Sequence, residues 1–155
     1  MNQALLSSKN MNWCTPQDFF DKLDLEFGFV LDTAATNETA KCQRYYTPET
    51  DGLAQSWQCD GAVFCNPPYG RQLGKWVRKA WQEAQTGQTI VLLIPVRTDT
   101  AYFHDFIYGK TKIRFLRGRL CFTDEAGNAG GSAPFPSMVV VYNGKECNEK
   151  VGNEV

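Results

Sequence analysis

The 155-residue chain has one histidine, His104, and none of its six cysteines falls in a C-x-x-C pair. A zinc site or a dithiol redox centre therefore lacks its usual ligand spacing, and reduced thiols in a cytoplasmic protein are the simplest reading. No metal ligand set is expected. No apolar run approaches the length of a membrane span. The segment Met1 to Asn12 lacks the apolar centre of a secretory signal. There is no internal repeat, low-complexity tract or linker, so residues 1–155 read as a single domain with an ordered core of about 13–143 and a polar tail. A hydrophobic content of 43% is enough for a real core.

Charge is scarce in one sense only. The net charge of −1 gives no reason to expect a polyanion ligand, but the charges are unevenly spread. Residues 71–119 hold ten basic side chains and three acidic ones, and the remainder is strongly acidic. Such a split suggests one face suited to phosphates. Its densest part is Lys110, Lys112, Arg114, Arg117 and Arg119, with no acid among them. The rival reading of that stretch is an exposed strand protected by charge.

Periodicity predicts strands alternating with helices. A helix is expected over Pro16 to Phe27, with Thr15 as N-cap, an apolar face of Phe19, Phe20, Leu23 and Phe27, and Gly28 ending it. Strands follow at Phe29–Asp32 and Arg44–Thr47, around a short helix near Asn37 to Cys42. Ala62–Cys65 reads as a buried strand, Gln72–Gln85 as the clearest helix, and Thr89–Ile94 as another strand. Tyr102 to Ile107 suggests a helix ended by Gly109. Lys112–Phe122 is expected as a strand with Ile113 and Phe115 inward, and Ser137–Tyr142 as the last strand. The order implies a three-layer α/β domain whose ligands bind beyond the carboxyl ends of the strands, where Asp32 and Asn66 both fall.

The most specific signal is Asn66-Pro67-Pro68-Tyr69, directly after the strand Ala62–Cys65. These residues suit methylation of a planar exocyclic or amide nitrogen. The lone pair of such a nitrogen is delocalised, which makes it a poor nucleophile. Two acceptors lying off the ring plane would hold its N–H hydrogens and favour a more pyramidal nitrogen. Asn66 would offer a side-chain carbonyl and Pro67 a backbone carbonyl. Two prolines fix φ and leave no competing N–H. Tyr69 would stack on the base. With S-adenosylmethionine as donor, rate would come mainly from positioning, and no general base is evident. The plain alternative is that Pro-Pro merely stops a strand and makes a turn.

Taken with Trp13-Cys14-Thr15-Pro16, Leu31-Asp32-Thr33-Ala34-Ala35, Asp51-Gly52-Leu53 and Gly118-Arg119-Leu120 followed by Phe122, this motif resembles the small phage-type DNA N-6-adenine-methyltransferases. The resemblance runs from about Trp13 to Tyr142. It implies a Rossmann-like methyltransferase fold, with a mostly parallel, trimmed sheet ending in an antiparallel hairpin. It also implies S-adenosylmethionine as cofactor, and double-stranded DNA as partner without an obligate protein partner. Cofactor contacts would come from Trp13, Thr15, Pro16, Asp32, Ala34, Asp51 and Asn66. Thr15 and Pro16 would hold the methionine carboxylate at a helix N-terminus. Asp32 would lie near the methionine amine or the loop shaping its pocket, and Asp51 would accept from the adenine amine. DNA contacts would come from Arg71, Arg97, Lys112, Arg114, Arg117 and Arg119. Two departures stand out. Thr33-Ala34-Ala35 replaces the glycines usual after the first strand, and no clear acid is present for the ribose, Glu38 being poorly supported. Acceptors in RNA adenine or a protein glutamine amide pose the same lone-pair problem. A catalytically silent DNA-binding module is the reading from another class.

Overall fold

The computed structural model describes residues 13–144. The polar tail and Cys147 lie outside the described residues. Helix α1 (Gln17–Phe27) leads into β1 (Phe29–Asp32) and the two-residue β2 (Arg44–Tyr45). Strand β3 (Ala62–Cys65), helix α2 (Leu73–Ala84) and strand β4 (Ile90–Pro95) follow, then a π-helical turn at Phe103–Ile107, and finally β5 (Lys112–Phe115) and β6 (Ser137–Tyr142). The six strands form one sheet in the order β2-β1-β3-β4-β6-β5. The β1–β2, β1–β3 and β3–β4 pairs are parallel, whereas β6 runs antiparallel to both β4 and β5. The arrangement is a mixed α/β fold, as the element order implies, and Rossmann-like, as the resemblance implies.

Local chemistry accounts for the elements. All six residues of β4 and all six of β6 are buried, so these strands read as continuous apolar runs instead of alternating ones. Helix α1 presents Phe20 to Phe29 and Phe64, with ring centroids 5.5 and 5.1 Å away. Gly28 closes it with φ of 68°, donating its N–H to the Asp24 carbonyl at 2.8 Å. Helix α2 buries Leu73, Trp76, Val77, Ala80 and Ala84 at helical spacing.

Four local expectations are corrected. Thr15 is not the cap of α1; Pro16 occupies that position with ψ of 137° and no side-chain cap. No helix forms over 37–42, because the Thr36 and Thr39 hydroxyls take each other's backbone N–H groups and make a turn. The strand expected over 112–122 stops at Phe115, and beyond it the chain turns into a long loop, residues 116–136, tied to itself by the Ala133 N–H to Leu120 carbonyl bond. Phe115 is 62% exposed and does not point inward, since β5 is the sheet's outer strand.

The sheet has one topological switch. From β1 the chain crosses outward to β2 and later returns to the other side as β3. The carboxyl ends of β1 and β3 therefore diverge and leave a crevice between their following loops.

Candidate active site

A partly open cavity of about 150 Å³ fills that crevice. Its walls come from the segment before α1, the loop after β1, the turn around Asp51, the end of β3 and the face of α2. Of the residues expected to touch a cofactor, Trp13, Thr15, Asp32, Ala34, Asp51 and Asn66 all line it, drawn from four separate stretches of chain; Pro16 does not.

Asn66 follows β3 directly. Its Nδ2 donates to the Trp13 carbonyl and, at 3.0 Å, to Thr15 Oγ1. Its Oδ1 is buried and has no hydrogen-bond partner. A buried carbonyl acceptor without a donor is costly and uncommon, and here it sits on a residue of the cavity wall. Pro68 shares that wall, whereas Pro67 is buried outside it.

Asp32 is 3% exposed. Its Oδ1 accepts from the Ala34 N–H at 3.3 Å and its Oδ2 from the Lys41 N–H at 3.0 Å. The carboxylate thus braces the loop around the cavity. Burial pushes its pKa up to about 6, against the pull of those two N–H groups and the Lys41 charge.

The residue Asp51 is the only non-glycine with positive φ among the described residues, at 56°, and its carboxylate accepts from the Leu53 N–H at 3.2 Å. Next to it, Gly52 passes very close to its neighbours. A Cβ there would lie 2.2 Å from the Thr33 carbonyl oxygen and 3.1 Å from the Trp76 ring. Gly52 thus lets the Asp51 turn pack against the loop after β1 and the face of α2. Trp76, Lys41, Thr36, Thr39, Thr47 and Pro48 also line the cavity, although no motif in the sequence marks them for it. Trp76 carried a clear helical core signal, and its outer surface doubles as wall. Glu38 is not among the lining residues.

Tyr69 is not an open platform. It is 7% exposed, its hydroxyl donates to the Leu93 carbonyl at 3.0 Å, and its ring meets Phe122 and Phe135 nearly at right angles with centroids 6.1 and 5.5 Å away. Trp13 touches the same two phenyl rings at 5.7 and 5.8 Å. The expected stacking face is thus occupied by the chain's own aromatics.

The basic residues separate into two groups. Arg71, Arg97, Arg117 and Arg119 are exposed and follow Tyr69, β4 and β5 at the carboxyl edge that holds the cavity. Lys112 lies at the opposite end of β5, in register with Val141. Arg114 makes a two-pronged ion pair with Glu26 of α1 at 2.7 and 2.9 Å and lies over the Phe27 ring. For Lys112 and Arg114 the edge-strand reading fits better than a shared phosphate-binding face. Among the described residues, no group of three or more His, Cys, Asp or Glu is placed to hold a metal, and no helix is long and apolar enough to cross a membrane.

The sequence is similar to known proteins. The Dam family, DNA N-6-adenine-methyltransferases, matches residues 3–151. The chain is 34% identical over 109 residues to the DNA N-6-adenine-methyltransferase of Escherichia phage T1, covering 70% of this chain and 45% of that protein. It is also 43% identical over 63 residues to the methyltransferase-named protein YfdM of Escherichia coli (strain K12), covering 37% of this chain and 69% of YfdM. The chain thus spans less than half the length of the phage protein it matches. With a family match across almost its whole length and the strand-end Asn-Pro-Pro-Tyr motif at a topological switch, the chain belongs to the DNA N-6-adenine-methyltransferase (Dam) family.

Proposed function

We propose that this chain transfers a methyl group from S-adenosylmethionine to the exocyclic amine of adenine in DNA. The observation that carries the proposal is the buried, unpartnered Oδ1 of Asn66 in the cavity wall. It is an acceptor waiting for an N–H. An adenine amine supplies one, while Pro67, which lies outside the cavity wall, would offer its carbonyl to the second hydrogen from beyond it. When bound, the cofactor supplies an electrophilic sulfonium methyl group.

The residues present suit such a cofactor. Phe64 and Trp76 give the cavity apolar and aromatic wall, Asp51 would offer an acceptor to the cofactor's adenine amine, and Asp32 keeps the loop after β1 in shape. Arg71, Arg97, Arg117 and Arg119, exposed on the cavity's edge of the sheet, suit a phosphate backbone. A target base would have to leave its duplex to reach Asn66.

The test supplies radiolabelled methyl donor with duplex DNA, RNA and a protein extract in parallel. Label is expected in DNA as methylated adenine. Asn66→Ala is expected to lower transfer about a hundredfold or more with an unchanged circular dichroism spectrum. Label entering only RNA or only protein overturns the acceptor assignment; transfer that survives Asn66→Ala overturns the mechanism.

A further inference from the structure

The Asn66 side chain is held at one end only. A backbone carbonyl has lone pairs and no proton, so the Trp13 oxygen can only accept, and it decides which end of the amide is the NH2. The second NH2 hydrogen goes to Thr15 Oγ1 at 3.0 Å, on a residue that is 3% exposed. Both donors are then used, and the oxygen is left as the free end of the group. An amide turned the other way would meet an acceptor amine with N–H against N–H.

We propose that the Trp13 carbonyl and the Thr15 hydroxyl set the orientation of the Asn66 amide, so that Thr15 is a positioning residue for the acceptor-binding oxygen. This rests on the methyl-transfer reading above, although the orientation itself can be measured without it. The Trp13 carbonyl, which can only accept, also makes the site one for asparagine. An aspartate has the same shape and a stronger acceptor, but its carboxylate would face the Trp13 oxygen with no proton between them.

The experiment compares wild type with Thr15→Val, Thr15→Ser and Asn66→Asp, using steady-state kinetics, calorimetric S-adenosylmethionine binding and NMR of the ¹⁵N-labelled Asn66 amide. Thr15→Val is expected to lower kcat about tenfold or more, to leave cofactor Kd unchanged, and to speed exchange of the Asn66 amide protons. Thr15→Ser is expected to restore kcat and exchange protection together. Asn66→Asp is expected to lose transfer at neutral pH and to regain part of it as pH falls, when a protonated carboxyl can donate to Trp13. Unchanged kcat and amide exchange in Thr15→Val overturn the proposal. So does a weaker cofactor Kd with kcat preserved, which would make Thr15 a cofactor ligand, and so does full activity of Asn66→Asp at neutral pH. If wild type transfers no label to any acceptor, the methyl-transfer reading fails and amide exchange decides the orientation alone: protection that Thr15→Val abolishes upholds it, and unprotected wild-type protons overturn it.

Discussion

Asp32 and Gly52 shape the crevice from opposite constraints, one electrostatic and one steric. In the folded chain the Asp32 carboxyl titrates near pH 6, above its ordinary value of 3.8. The folded state therefore binds its proton more tightly than the unfolded state does. Stability from this group is lost as pH rises from about 4 to about 6, and the loss is complete above that. Relative to Asp32→Asn, wild type is expected to lose roughly 3 kcal/mol across that window, measured by urea unfolding at a series of pH values. A flat difference would mean that the buried carboxyl does not titrate there. Gly52→Ala meets backbone, not a flexible side-chain end, at the Thr33 oxygen. Overpacking of this kind costs about 1–3 kcal/mol, readable as a lower urea midpoint, and it is expected to weaken S-adenosylmethionine binding as the Thr33 and Trp76 walls shift. Both residues were visible in the sequence, Asp32 at a strand end and Gly52 inside a motif. What was not visible was the reason for Gly52, because the close approach is to Thr33 and Trp76, each far along the chain from it or in another element.

At the scale of elements, the strands were the most legible part. β3, β4 and β6 are short, apolar and buried, and a run of that kind has few other places to go in a chain of this size. The expectations that failed share a physical cause. Side-chain oxygens compete for backbone N–H groups in 36–39, where threonines win over a helix. Beyond Leu116, whose N–H still reaches the Ser137 carbonyl of β6, the backbone partners come from within the loop and from Cys14, through the Thr123 N–H to Cys14 carbonyl bond. No period-two pattern reveals such partners. Arg114 looked like part of a phosphate-binding run because Glu26, its partner, lies 88 positions earlier. Arg114→Ala is accordingly expected to leave DNA affinity almost unchanged in a fluorescence-anisotropy titration, whereas loss of binding would return it to the DNA face.

For the whole molecule, a net charge of −1 hides an uneven charge distribution, and four exposed arginines follow strands whose carboxyl ends lie on the cavity's edge of the sheet. Each phosphate contact releases counterions, so the number of contacts is readable from salt dependence. Replacing Arg117 and Arg119 with Ala is expected to weaken duplex binding at every sequence and to flatten the plot of log K against log salt by about two. An unchanged slope would remove the 116–136 loop from the interface.

That same loop carries Phe122 and Phe135, which with Trp13 and Tyr69 form a closed ring of four aromatics beside Asn66. On the methyl-transfer proposal, a purine reaching the Tyr69 face would have to trade places with a phenyl group. Nucleobase capture would then be a substitution of one ring for another.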